Sequence, residues 1–104
     1  MNQYKVNFDE IQGDTPAPGV RSKVVVIHGK KIRLVEFTKE FIEPDWCKKG
    51  HIGYILEGHL EIDFNGNIVV FNPGDALCIP EGERHKHRAQ TISDVVKIFL
   101  IDDI

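Results

Sequence analysis

Glycine, proline and asparagine cut this chain into short runs rich in β-branched and aromatic residues. That punctuation constrains its fold more than any other feature. No window carries convincing 3.6-residue periodicity, whereas short extended runs between turn signals build a sandwich or barrel. The clearest unit is Leu60, Ile62 and Phe64 alternating with Glu61 and Asp63, then Asn65-Gly66, then Ile68 to Phe71. Asn-Gly between two such runs predicts a type I′ hairpin, which needs positive φ at both central residues. Tyr4, Val6 and Phe8 alternate with polar residues and predict a first strand. Gly13 to Gly19 reads as a turn-rich loop. Ser22–Ile27 and Lys31–Phe37 read as strands joined around His28-Gly29. Thr38 to Lys49 is the longest irregular stretch, with Phe41 and Ile42 expected to pack inward. Gly50–Glu57, Ala76–Ile79, His85–Ala89 and Val95–Ile101 complete the set, with turns at Asn72 to Asp75 and Pro80 to Glu83. About nine or ten short strands can close or nearly close a small barrel. The expected class is all-β, and 104 residues suit one domain spanning residues 1–104.

Bulk properties exclude several function classes. An apolar content of 41% is ordinary for a globular chain and argues against disorder. A formal net charge of −3 argues against nucleic acid or an acidic membrane as partner, since binding phosphates needs a basic face. The longest apolar run, Val24 to Ile27, is far too short to span a bilayer. Met1 to Ile11 carries Lys5, Asp9 and Glu10 and has no unbroken apolar core of a signal peptide. A cytoplasmic location follows as the expectation, with Cys47 and Cys78 as reduced thiols. No Gly-rich phosphate loop, nucleophile elbow or paired-carboxylate motif is present.

The informative region runs from Pro44 to Ala89. Gly74 is followed after five residues by Pro80, then Gly82, then His85. Upstream stands Gly50-His51-Ile52-Gly53-Tyr54-Ile55-Leu56-Glu57-Gly58. These two segments resemble the paired motifs of the cupin family. The resemblance implies a double-stranded β-helix, or jelly-roll barrel, with a metal site inside. His51 falls at the Glu/Gln ligand position of the first motif, and His85 at the histidine of the second. The family's two leading histidines would fall at Pro44 and Trp46, neither of which offers a side-chain ligand, and the closing Asn of the second motif is Ala89. The four-ligand site therefore does not carry over whole.

Strand geometry adds a third histidine. Residues i and i+2 of a strand point to one face, so an inward His85 implies an inward His87. His51, His85 and His87 are thus the candidate metal ligands, with His87 alternatively contacting substrate. Imidazoles suit zinc, iron, nickel or copper, and small oxygen-rich cupin sites also take manganese. Cys47 is either a thiolate that completes a mixed set or a buried inert thiol. Trp46, Cys47 and Arg33 are the expected pocket-lining residues. Tyr54 is out of phase with His51 and belongs on the opposite face.

The resemblance implies a divalent transition metal, a small-molecule ligand and a homodimer, the last by covering an exposed edge with the first strand. Three functions compete. One is a metal-dependent enzyme on a small oxygenated metabolite, of the sugar-acid isomerase or dioxygenase kind. Another is a binding or sensing cupin whose histidines serve without turnover. The third is a structural protein whose degenerate site has lost its metal.

Overall fold

The computed structural model describes residues 3–103. Nine strands form: Asp14–Ala17 (β1), Val20–Ile27 (β2), Lys30–Thr38 (β3), His51–Glu57 (β4), Leu60–Asp63 (β5), Ile68–Phe71 (β6), Ala76–Ile79 (β7), Arg88–Thr91 (β8) and Val95–Asp103 (β9). They lie in two antiparallel sheets. The larger runs β1-β2-β3-β9-β4-β7, and the smaller runs β6-β5-β8. The chain is all-β with the jelly-roll arrangement.

The expected turn chemistry sets the hairpins. His28 and Gly29, at φ 51° and 74°, join β2 to β3, and Asn65 and Gly66, at φ 59° and 106°, join β5 to β6. The Asp63 carboxylate accepts from the Gly66 amide at 2.7 Å and fixes the second turn. Tyr54 is exposed on the face opposite His51, as alternation requires.

Ile42, expected to pack inward, is instead 74% exposed, and three segments also differ from the expectation. Tyr4 to Phe8 is not a strand. The Asn7 side chain accepts from the Asp9 amide and caps a 3-10 turn at Phe8–Glu10, a local bond that competes with sheet pairing. Tyr4 is 81% exposed, and only the end of the segment is tied to the sheet. Phe8 packs edge-on against Phe99 at 6.1 Å, and Lys23 Nζ donates to the Phe8 carbonyl at 2.9 Å. Second, Gly13 to Gly19 holds a strand, because Asp14 and Ala17 pair with Ser22 and Val20. Gly19 closes that hairpin at φ 77°, where a Cβ would come within 2.4 Å of the Phe41 nitrogen. Third, β8 starts at Arg88 rather than at His85.

Register decides which side chains face inward. Val35 lies opposite Ile98, and Ile98 lies opposite Ile55 across the next ladder. These residues join Leu60, Ile62, Leu77 and Val96 in the core, with Ile55 and Val96 fully buried. Along β3, Lys31, Arg33, Val35 and Phe37 share this inner face. Along β9, Val96, Ile98 and Leu100 share it with Asp102.

Candidate functional site

A cavity of about 940 Å³ opens between the sheets. That volume lies within the range of about 300–1,000 Å³ usual for small-molecule sites. Its polar end is built by register. Ile52 pairs with Ile101, so the preceding His51 and the following Asp102 meet across the β4–β9 ladder on the inner face. His51 Nδ1 stands 3.2 Å from Asp102 Oδ1, and Arg33 Nη2 donates to Asp102 Oδ2 at 2.8 Å. The loop into His51 is held close to β7: a Cβ on Gly50 would meet the Ile79 carbonyl oxygen at 2.8 Å and the Glu81 amide nitrogen at 2.9 Å. Glycine is what permits that approach.

A second pairing brings in Cys47. Cys47 and His87 form an isolated antiparallel bridge, closed by Cys47 N–H to the His87 carbonyl at 2.8 Å and the reverse bond at 2.9 Å. Directly opposed residues project to one face. The Cys47 Sγ lies 3.7 Å from His51 Nε2, and the His51 and His87 rings stand nearly perpendicular with centroids 5.5 Å apart. One donor atom from each of Cys47, His51 and His87 lies within 4.8 Å of the others.

Hydrogen bonding assigns the ring nitrogens. His87 Nδ1 is 3.1 Å from the His85 carbonyl, and His51 Nδ1 faces the Asp102 carboxylate. Both partners only accept, so both Nδ1 atoms carry the proton. In the neutral form of each ring, Nε2 then keeps its lone pair. Burial holds the His51 pKa below the ordinary histidine value; the Asp102 hydrogen bond and charge oppose this, and the Arg33 and His87 charges add to it. Two imidazoles beside a cysteine, each imidazole oriented by an acceptor behind it, fit a transition metal, which binds them in their neutral form.

The structure gathers some of the expected residues and not others. His51 and His87 converge, and Cys47 and Arg33 line the cavity. His85 does not join them. It sits in a 3-10 turn at Glu83–His85, where its amide donates to the Gly82 carbonyl, and Lys86 N–H donates to Glu83. The chain is not extended at residue 85, so the i, i+2 rule does not carry from His85 to His87. His85 contributes its carbonyl instead. Trp46 is also outside. The Cys47–His87 bridge sends the flanking residues to the other face, where Lys86 Nζ and Arg88 Cζ lie 5.5 and 5.4 Å from the indole ring.

Two residues escaped the sequence reading. Asp102 had a signal, since it continues the inward alternation of Val96, Ile98 and Leu100. Glu43 had none. It lies in the irregular stretch before β4, where an Ile42–Gln90 bridge turns it toward the cavity and its Oε2 accepts from the Ala89 amide at 2.9 Å. Burial raises its pKa above the ordinary carboxylate value; the Ala89 bond and the His87 and Arg88 charges pull the other way.

The sequence matches the family described as cupin domain over residues 42–101, more than half of the chain. No curated protein matches it. Among solved structures it is similar to KdgF from a Halomonas species, with a TM-score of 0.74 and 24% identity over 92% of this chain and 91% of that one. A cupin-superfamily sugar phosphate isomerase from Silicibacter pomeroyi gives a TM-score of 0.74 at 15% identity, covering 96% of this chain and 75% of that one. A cupin-2 domain protein from Shewanella frigidimarina gives 0.66 at 21% identity, covering 80% and 79%. At these identities the structures speak to the fold alone. With the family match over residues 42–101, the chain belongs to the cupin family.

Proposed function

We propose that this chain is a metal-dependent cupin in which Cys47, His51 and His87 hold a divalent transition metal, acting on a small oxygenated molecule in the cavity. The observation that carries this reading is the convergence of those three donors within 4.8 Å at the polar end of the cavity. A thiolate beside two imidazoles suits zinc, nickel, iron or copper better than manganese, which prefers oxygen donors. Bound there, such an ion supplies Lewis acidity toward a carbonyl or hydroxyl oxygen. Asp102 orients His51, the His85 carbonyl orients His87, and Arg33 fixes Asp102. Glu43, outside the donor group, offers a carboxyl for proton transfer on the cavity wall.

Metal analysis of protein purified without a histidine tag tests this. One equivalent of transition metal is expected, lost in the Cys47→Ala/His51→Ala double variant. Metal-free protein that gains none on dialysis contradicts it. The second reading, a binding or sensing cupin without turnover, is favoured by Pro44 and Trp46 standing where the family's leading histidines would. Ligand retention without chemical change, in metal-loaded protein, would select it.

A cytoplasmic homodimer belongs to the same proposal. Both cysteines are free. Ile52, Tyr54 and Leu56 on β4 are 57, 46 and 49% exposed and offer an apolar outer surface. A monomer in light scattering at high micromolar concentration would contradict the dimer.

A further inference from the structure

The cavity is polarised along β3. Lys31, Arg33, Val35 and Phe37 share the inner face, and their backbone positions span roughly 20 Å at about 3.4 Å per residue. Cationic side chains give way to apolar ones in that order. Around Lys31 and Arg33 stand Lys49, His51 and the other donors. Around Phe37 stand Phe41, stacked on it with centroids 4.5 Å apart, and Leu60, Ile62, Ile98 and Ala89.

Charges at the polar end are unevenly paired. Asp102 is taken up by Arg33 and His51, and Asp103 by Lys30. Glu43 stands beside Ala89, toward the apolar end, and accepts from its amide. Half-buried Lys31 and Lys49, exposed at the rim, make no ion pair or hydrogen bond with any described residue, and among the described residues the buried Arg33 Nε has no partner. Glu81, exposed at the rim, is the one lining carboxylate with neither an ion pair nor a hydrogen bond among the described residues. Donors without acceptors therefore outnumber the reverse, and a buried unpartnered N–H is costly to leave unmet. An anionic acceptor meets that need. Apart from the Glu43 carboxyl, the apolar end offers a hydroxylated body nothing to bond.

We propose that the cavity binds an amphipathic small carboxylate, its head at Lys31, Arg33 and Lys49 and its hydrocarbon or aromatic body against Phe37 and Phe41. This goes beyond the metal reading by naming the ligand class, and it narrows the oxygenated molecule to one with a single polar end. It rests on the same cavity but not on the metal.

Calorimetric titration with three probes tests it: 3-phenylpropionate, its neutral amide 3-phenylpropanamide, and glycerate, which keeps the carboxylate on a hydroxylated body. Each is titrated into metal-loaded and chelator-treated protein. 3-Phenylpropionate is expected to bind about ten-fold tighter than either comparison in both forms, as charge-assisted bonds and apolar burial predict. In a Lys31→Gln/Lys49→Gln variant the advantage over the amide should fall several-fold, with the advantage over glycerate kept. Equal binding of acid and amide, preference for glycerate, an advantage untouched in the variant, or no binding of any probe at millimolar concentration overturns the proposal. Failure of the metal reading would appear separately, as absent metal with the probe preference intact.

Discussion

Asp102 decides which nitrogen of His51 faces the cavity. Its carboxylate holds the Nδ1 proton, and Arg33 holds the carboxylate. Asp102→Asn keeps the shape and removes the charge. A loss of about 10–100-fold in metal affinity is expected, the usual effect of removing such an orienting partner. Competition against a chelator of known affinity measures it, and unchanged affinity would show that His51 needs no such support. Glu43 gives a prediction of opposite kind. Burial disfavours its ionised form and raises its pKa, so the unfolded chain ionises first as pH rises past the ordinary value of 4.5. Stability is lost over that interval until the folded carboxyl ionises as well. Glu43→Gln keeps an acceptor for the Ala89 amide and removes the penalty. The variant should therefore melt higher than the parent at pH 8 and level with it below pH 4.5, read by scanning calorimetry. A lower melting temperature at pH 8 would mean the ionised carboxylate is holding a partner. Of these residues His51 was legible from its place before the Leu-Glu-Gly turn. Asp102 was legible in principle from period-two alternation. Glu43 was not, because a bridge between segments distant in sequence positions it.

Strands and turns were read more surely where one local rule acts alone. Asn65-Gly66 demanded a hairpin and made one, since few other conformations suit two positive φ angles. Tyr4 to Phe8 carried strand alternation, yet the Asn7 side chain redirected the backbone into a 3-10 turn. His85 shows the same competition. The turn begun at Pro80 persists through Lys86, and extended geometry resumes only at the Cys47–His87 bridge. A motif register placed His85 correctly along the chain, but side-chain direction depends on where the turn ends. The loop that carries Cys47 depends in turn on Gly50. Gly50→Ala places a methyl against the Ile79 carbonyl and the Glu81 amide. A destabilisation of about 1–3 kcal/mol is expected from such overpacking. Urea unfolding checks it, and a neutral result would show that the loop yields freely.

Taken as a whole, the molecule keeps an apolar core at one end of a sandwich and the polar end of its cavity at the other. The strand that spans them, β3, changes character from lysine to phenylalanine along one face. The barrel class followed from short punctuated strands, and the family from two motifs. The donor set did not follow, because it joins Cys47, His51 and His87 through pairings between three separate segments. That set is the central claim, and cobalt substitution tests it most directly. Replacing the native ion with Co(II) should give a near-ultraviolet thiolate-to-cobalt charge-transfer band. The band should vanish in Cys47→Ala, while visible ligand-field absorption persists from the two histidines. Cobalt bound without a thiolate band, or no cobalt taken up at all, would contradict the account.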